Sequence, residues 1–198
     1  MPKRPNTVRV IGGVHRGRLI RFPDVEGLRP TPDRVRETLF NWLGQDLHGK
    51  VCLDLFAGSG ALGIEAASRG AREVLMVDRS RQVVAALRAS VEALRLSGVR
   101  VECRDALEFV DDLRRRGARF DVVFLDPPFG GKGIPRVEPL LPDLLDEHGV
   151  AYVESEHLYR PSGGLRVLKQ GHAGMVHYAL AAKAGEQERR PISEEPSA

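Results

Sequence analysis

The amino-acid sequence predicts an α/β domain: a doubly wound, mostly parallel seven-stranded sheet carrying an N-terminal basic β-hairpin. Three observations predict it. From residue 51 onward, short apolar runs alternate with stretches of helical periodicity, the pattern of βα units joined by right-handed crossovers. Val122-Val-Phe-Leu125 is an unbroken apolar run, which suits a strand covered on both faces. A glycine-rich segment follows the first of these strands and leads directly into a helix.

The elements follow in order. Val8-Arg-Val-Ile11 and Arg18-Leu-Ile-Arg-Phe22 alternate apolar and polar residues around Gly12-Gly-Val-His-Arg-Gly17, a hairpin with a basic loop. Thr31 can cap a helix opening on Pro32 and Asp33. Val35, Leu39 and Leu43 share one face of that helix, and Gly44 can end it. A strand is expected at 51–56, a helix at 62–69 and a strand at 74–77. The helix at 80–96 places Val83, Leu87, Val91 and Leu94 on one face, with Gly98 past its end. A strand at 99–103, a helix at 106–116, a strand at 120–125, a helix around 137–145 and a strand at 150–154 continue the series. Runs at 165–168 and 175–182, separated by Gly171-His-Ala-Gly174, close it as an antiparallel pair. Residues 1–30 thus read as a hairpin extension and 31–183 as the main domain. The composition of 184–198 predicts a disordered tail.

Composition bounds the function. The chain has 198 residues, of which 42% are apolar and 29% charged, an ordinary globular balance that needs no disulfide or metal to complete a core. No apolar run approaches the roughly 18–20 residues of a membrane span, and the basic N-terminus has no apolar leader, so a cytoplasmic location without membrane association is expected. Cys52 and Cys103 both lie in strand-like stretches without clustered His or Cys, which predicts two buried free thiols and no metal site. Residues 1–21 hold Lys3, Arg4, Arg9, Arg16, Arg18 and Arg21 and no acid. With a net charge of +3 for the whole chain, the remainder is mildly acidic. A basic arm on an acidic body suggests a polyanion, nucleic acid first, with Arg16, Arg18 and Arg21 on phosphates; a solvated leader is the plain alternative. Arg114-Arg-Arg116 reads better as a solvated helix end.

Two constellations carry chemistry. In Asp54-Leu-Phe-Ala-Gly58-Ser-Gly60-Ala-Leu-Gly63, the glycines Gly58, Gly60 and Gly63 fit GxGxxG between strand and helix, a Rossmann-like context that lets a ligand approach the backbone. Asp78 ends the next strand, where an acid can accept both hydroxyls of an adenosine ribose. Asp105, before Ala106, can accept from an adenine amino group, cap a helix, or do both. A glycine loop alone does not separate a dinucleotide from S-adenosylmethionine. Asp54 does, because a carboxylate beside the loop repels a pyrophosphate and attracts an ammonium and a sulfonium.

The second constellation, Asp126-Pro-Pro-Phe129, follows the buried strand. Two prolines remove two N–H donors, so the corner offers mainly acceptors, the Asp126 carboxylate and the Pro127 carbonyl. Phe129 stands beyond as a stacking surface. This suits a flat base bearing an NH₂ group, whose delocalised lone pair two acceptors can localise toward an electrophile.

Taken together, Asp54 to Gly63, Asp78 and Asp126-Pro-Pro-Phe129 resemble a class I S-adenosylmethionine-dependent methyltransferase. Val10-Ile-Gly-Gly13, Arg16-Gly-Arg18, Leu28-Arg-Pro-Thr31 and Asp33-Arg-Val-Arg-Glu-Thr-Leu-Phe-Asn-Trp42 narrow the resemblance to the RsmD family of bacterial 16S ribosomal RNA guanine-N2 methyltransferases, over about residues 8–182. Many amino-methyltransferases carry Asn where this chain has Asp126, and Asp agrees with the RsmD pattern. The resemblance implies Asp126, Pro127 and Phe129 at the reacting base. It implies Asp54, Gly58, Gly60, Gly63, Asp78, Asp105 and Ala106 on S-adenosylmethionine, and places Thr31, Arg34 and Glu37 near the site. The implied partner is 16S rRNA within a small ribosomal subunit or assembly intermediate, met by a monomer. Two rivals stand beside it: an NAD-dependent oxidoreductase, which the full GxGxxG motivates, and a non-catalytic rRNA-binding assembly factor.

Overall fold

The computed structural model describes residues 6–25, 27–128, 133–162 and 164–185. Phe129 and nearly all of the expected tail lie outside these. The chain opens with an antiparallel hairpin, β1 (Asn6–Arg9) and β2 (Leu19–Phe22). Helix α1 (Asp33–Leu43) follows, and then the alternating series: β3 (Val51–Asp54), α2 (Ala61–Ser68), β4 (Glu73–Asp78), α3 (Arg81–Ala93), β5 (Val99–Cys103), α4 (Ala106–Arg115) and β6 (Phe120–Leu125). A short α5 (Gly133–Val137) runs into a 3₁₀ turn, Glu138–Asp143. Strands β7 (Leu145–Ser155), β8 (Leu165–Ala173) and β9 (Val176–Lys183) complete the sheet.

Seven strands form it in the order β5-β4-β3-β6-β7-β9-β8. Strands β3 to β7 are parallel and β9 joins them antiparallel, with β8 at the edge. The order reverses between β3 and β6, so the crevice at the carboxyl ends of those strands is where a doubly wound sheet binds ligands.

The sheet separates two apolar layers. Leu39 and Phe40 of α1, Ile64 of α2 and Leu87 of α3 pack on the face carrying Cys52, Met76, Phe124 and Tyr152. Phe109 and Val110 of α4, with Leu141, cover the face carrying Leu53, Val123, Leu125 and Val153. The hairpin belongs to the first layer through Val8, Val10, Ile20 and Phe22. Its loop is also tied to the end of α2. Val14 N–H donates to the Ser68 carbonyl at 2.8 Å, and the Ser68 hydroxyl donates to the Gly12 carbonyl at 2.6 Å. A Cβ at Gly13 would sit 1.8 Å from the Ser68 oxygen, and Gly13 has φ +72°, so glycine is required at this contact.

Three local expectations are corrected. The helix expected around 137–145 is a five-residue α-turn and a 3₁₀ segment ending at Asp143, because Pro139 and Pro142 each lack an amide donor; Leu145 already starts β7. Thr31 does not cap α1, whose first turn has Pro32 as its N-cap and no side-chain cap bond. Cys52 is buried, but Cys103 is exposed, since it ends the edge strand β5.

Candidate active site

The glycine segment is a tight turn between β3 and α2. Gly60 is the α2 N-cap at φ 78°, a conformation that disfavours any side chain, and a Cβ there would meet Leu87 at 2.6 Å. A Cβ at Gly63 would lie 2.9 Å from Met76 and 3.0 Å from the Asp54 carboxylate. Two acids brace the turn. Asp54 Oδ2 accepts from Gly63 N–H at 3.0 Å. Asp78 Oδ2 accepts from Gly58 N–H at 3.1 Å, and its Oδ1 from Ser80 N–H at 2.8 Å. The third glycine of the motif therefore gives its amide to the protein's own carboxylate, the amide a dinucleotide pyrophosphate would seek at a helix N-terminus. That occupancy argues against the oxidoreductase.

Asp105 is the N-cap of α4, with Oδ1 accepting from Leu107 N–H at 2.9 Å and Glu108 N–H at 3.3 Å, so its capping role is realised at the carboxyl end of β5. Ala106, the first residue of α4, is buried. Arg16, Arg18 and Arg21 are exposed on the hairpin, and Arg34 and Glu37 are exposed on α1.

Asp54 lies beneath the turn, almost wholly buried. Its ionisation is pushed up to about 7, first by removal from water and then by the neighbouring Asp78 charge, against hydrogen bonds from the Gly63 and Phe56 backbone. Between the ordinary 3.8 and about 7, the folded chain holds a proton that the unfolded chain has released. Asp54 therefore makes stability fall as pH rises through that window and level off above it. Asp54→Asn keeps an acceptor for Gly63 and should flatten this part of the profile. Thermal melts from pH 4 to pH 8 check it, and parallel profiles for the two proteins would refute it.

The second half of the site is built from β6 and β7. Strand β6 ends at Leu125, and Asp126-Pro127 follow at its carboxyl end, with Pro127 buried under α5: a Cβ on Gly133 would stand 2.7 Å from the Pro127 ring. The Thr31 hydroxyl donates to Asp126 Oδ2 at 3.3 Å. Thr31 is held in turn by Arg36, whose Nε donates to the Thr31 carbonyl at 3.2 Å. Glu154 occupies the matching place on β7 and is 3% exposed; the Tyr152 hydroxyl donates to its Oε1 at 2.9 Å.

Parallel register explains the juxtaposition. Asp54 pairs with Phe124 and Phe124 with Tyr152, so Asp126 and Glu154, each two residues further on, share the sheet face of Asp54. Burial and then the Glu154 and Asp54 charges hold Asp126 well above the usual carboxylate range, with the Thr31 hydrogen bond opposing. Burial also raises Glu154, against the hydrogen bond from Tyr152. Three carboxyl groups thus meet at one edge in a setting that favours a cation.

Arg36 is the second group that local reading missed. It is fully buried in α1 and makes four bonds: to the Thr31 carbonyl, to Glu65 at 3.2 Å, to the Arg9 carbonyl at 2.8 Å and to Asp33 at 2.6 Å. Glu65 also accepts from Ile11 N–H at 2.8 Å and from Arg69 Nε at 2.9 Å. The signal was available, because Arg36 shares the apolar stripe of Leu39 and Phe40.

Comparison with known proteins agrees with this geometry. The family described as Conserved hypothetical protein 95 matches residues 8–182. Ribosomal RNA small subunit methyltransferase D of Escherichia coli is 43% identical over 161 residues, covering 78% of this chain and 80% of that protein. The protein of the same name from Haemophilus influenzae is 39% identical over 186 residues, covering 90% and 95%. The solved structure of yhhF from Escherichia coli superposes with a TM-score of 0.79 at 38% identity, covering 91% of this chain and all of that one.

Proposed function

Since the chain belongs to the RsmD family (Conserved hypothetical protein 95) and is an S-adenosylmethionine-dependent methyltransferase, we propose that it methylates the exocyclic N2 of a guanine in small-subunit ribosomal RNA. The observation that carries the choice of acceptor is Asp126 followed by two prolines at the carboxyl end of a central strand, an acceptor-rich corner. The relatives named above are small-subunit rRNA methyltransferases, which supports the RNA class. We further assign it to the cytoplasm, acting as a monomer on a small subunit or its assembly intermediate. None of the helices among the described residues is long and apolar enough to cross a membrane.

The residues present fit the cofactor. The Gly58–Gly63 turn leaves room for close approach, and the carboxyls of Asp54 and Asp78 brace it from either side. When bound, S-adenosylmethionine supplies an electrophilic methyl on a sulfonium. Asp78 retains lone pairs for ribose hydroxyls while bracing Gly58. Asp105 faces the same edge from β5. Asp126 and the Pro127 carbonyl accept from the guanine amine, orient its lone pair and offset the positive charge that develops on nitrogen. Phe129, outside the described residues, is proposed to stack on the base.

Two expected results bear on binding. Asp78→Ala should weaken S-adenosylmethionine by about 1.5–3 kcal/mol, the scale of a hydrogen bond to a charged group. Calorimetry on the folded variant checks this, and unchanged affinity would remove Asp78 from the site. Neutralising Arg16, Arg18 and Arg21 together should weaken binding to ribosomal particles and flatten its salt dependence, because fewer counterions are released. Cofactor affinity should hold, and an unchanged salt slope would leave the hairpin with a packing role alone.

The function itself is tested by methyl transfer from labelled cofactor to small subunits and to naked rRNA, followed by nucleoside mass spectrometry. N2-methylguanine is the expected product. A different methylated nucleoside would overturn the assignment of the acceptor.

A further inference from the structure

We propose that Thr31 is a positioning residue for methyl transfer: its hydroxyl holds one oxygen of the Asp126 carboxyl group, so that the other is presented to the acceptor amine. The catalytic half rests on the guanine-N2 reading; the placement of the carboxyl does not. Thr31 is buried, and its Oγ1 donates to Asp126 Oδ2 at 3.3 Å, across 95 positions of sequence. A hydroxyl has one proton to donate. Here it is not spent on α1, whose start has no side-chain cap bond although Thr31 directly precedes the N-cap Pro32.

The backbone that carries this hydroxyl is fixed on every side. Pro30 and Pro32 flank Thr31. Each ring locks its own φ, and Pro32 also biases Thr31 toward extended backbone. The Thr31 carbonyl lies outside the helix, since the N–H groups of Val35 and Arg36 both donate to Pro32. That carbonyl accepts instead from Arg36 Nε at 3.2 Å. Arg36 is fully buried and is itself held by Glu65 of α2 at 3.2 Å and by the Arg9 carbonyl of β1 at 2.8 Å. Further along α1, Phe40 packs against Phe124 of β6 with ring centroids 6.2 Å apart. Asp126 stands two residues past Phe124, so the helix that follows Thr31 and the strand that carries the acid are keyed to each other on one sheet face.

Asp126 follows β6 in a half-buried position, and its side chain turns about two single bonds. A carboxyl group free to turn offers its oxygens to the amine for only part of the time. One oxygen tied to a rigid hydroxyl sets the plane of the group and leaves the second oxygen as acceptor, beside the Pro127 carbonyl. The Thr31 hydrogen bond also favours the anion, opposing the rise that burial imposes on Asp126. Thr31 touches neither the methyl group nor the base in this scheme; its effect passes through Asp126.

Two measurements decide this. The first needs no RNA: crystal structures of wild type and Thr31→Val with bound S-adenosylhomocysteine. The Asp126 carboxyl should take one orientation against Thr31 in wild type, and turn or spread over several conformers in the Val variant. A wild-type Thr31 hydroxyl bonded elsewhere, or an Asp126 carboxyl unmoved in Thr31→Val, overturns the proposal. The second is a double-mutant cycle in single-turnover methylation of small subunits, at saturating cofactor and enzyme. Thr31→Val should bind cofactor and subunits normally yet transfer the methyl group about tenfold more slowly, a cost of misplacement rather than of a lost acceptor. Thr31→Ser, which keeps the hydroxyl, should recover most of the rate. In the Asp126→Ala background Thr31→Val should cost nothing further, because a residue that acts through another is not additive with it. A wild-type rate in the Val variant, equal losses in both backgrounds, or a Ser variant as slow as Val refutes the catalytic half. Thr31→Ala loses the same hydroxyl and is carried through both measurements, so the test survives a Val chain that fails to fold. If wild type methylates some other acceptor, the guanine reading fails alone, and the crystal structures still decide whether Thr31 sets the carboxyl.

Discussion

Asp126→Ala should fold and bind S-adenosylmethionine, yet transfer the methyl group roughly 10²–10³-fold more slowly, the scale of losing one preorganised electrostatic partner. The prediction follows from where the side chain sits. Asp126 is the ionisable group at the end of β6, and the next position, Pro127, offers a carbonyl and no N–H. Removing the carboxyl leaves the amine with one acceptor and nothing to offset its developing charge. Cofactor affinity should survive, because the turn that holds the cofactor is braced by Asp54 and Asp78. Asp126→Asn should lose less, since the amide oxygen still accepts, while the charge and the capacity to take a proton are gone. Single-turnover methylation of small ribosomal subunits distinguishes these outcomes. Wild-type rates in the folded Ala variant would show that the corner does not handle the amine, and would reopen the non-catalytic assembly factor as a reading of the substrate half.

Arg36→Ala should be the most destabilising single change at the hairpin–body junction, by about 3–5 kcal/mol, the range for removing one partner of a buried ion pair. Glu65 would be left buried with only Arg69 and the Ile11 amide, and the carbonyls of Arg9 and Thr31 would each lose a donor. The loss should appear as a lower denaturant midpoint in equilibrium unfolding. Arg36→Lys should recover little of it, since an ammonium cannot span four acceptors set around a planar fork. A midpoint within about 1 kcal/mol of wild type would mean the cluster stabilises little, as many exposed ion pairs do. The same variant should slow methyl transfer even where it remains folded, because Thr31 would no longer be held against Asp126.

The alternation from residue 51, the seven strands and the antiparallel closing pair were legible in the sequence because they depend on side-chain period and turn residues, which act over a few positions. The GxGxxG turn and the Asp126-Pro127 corner were legible for the same reason: backbone freedom at Gly60 and missing donors at the prolines are properties of those residues. Local reading went wrong where two local signals competed. Pro139 and Pro142 overrode the apolar run read as a helix around 137–145, and the position of Cys103 at a sheet edge overrode its strand-like context.

Tertiary structure alone decided the chemistry behind the corner. Thr31 looked like a helix cap, but its hydroxyl serves an acid 95 residues away. Arg36 and Glu65 stand 29 positions apart and meet only because α1 and α2 pack on the same sheet face. Glu154 looked like the polar end of a strand. The parallel register of β6 and β7 sets it level with Asp126, where loss of water raises the ionisation of both carboxyls. Propensity is a property of a segment, whereas ionisation and hydrogen-bond partnership depend on which distant groups the fold brings within about 3 Å and on how much water it leaves between them.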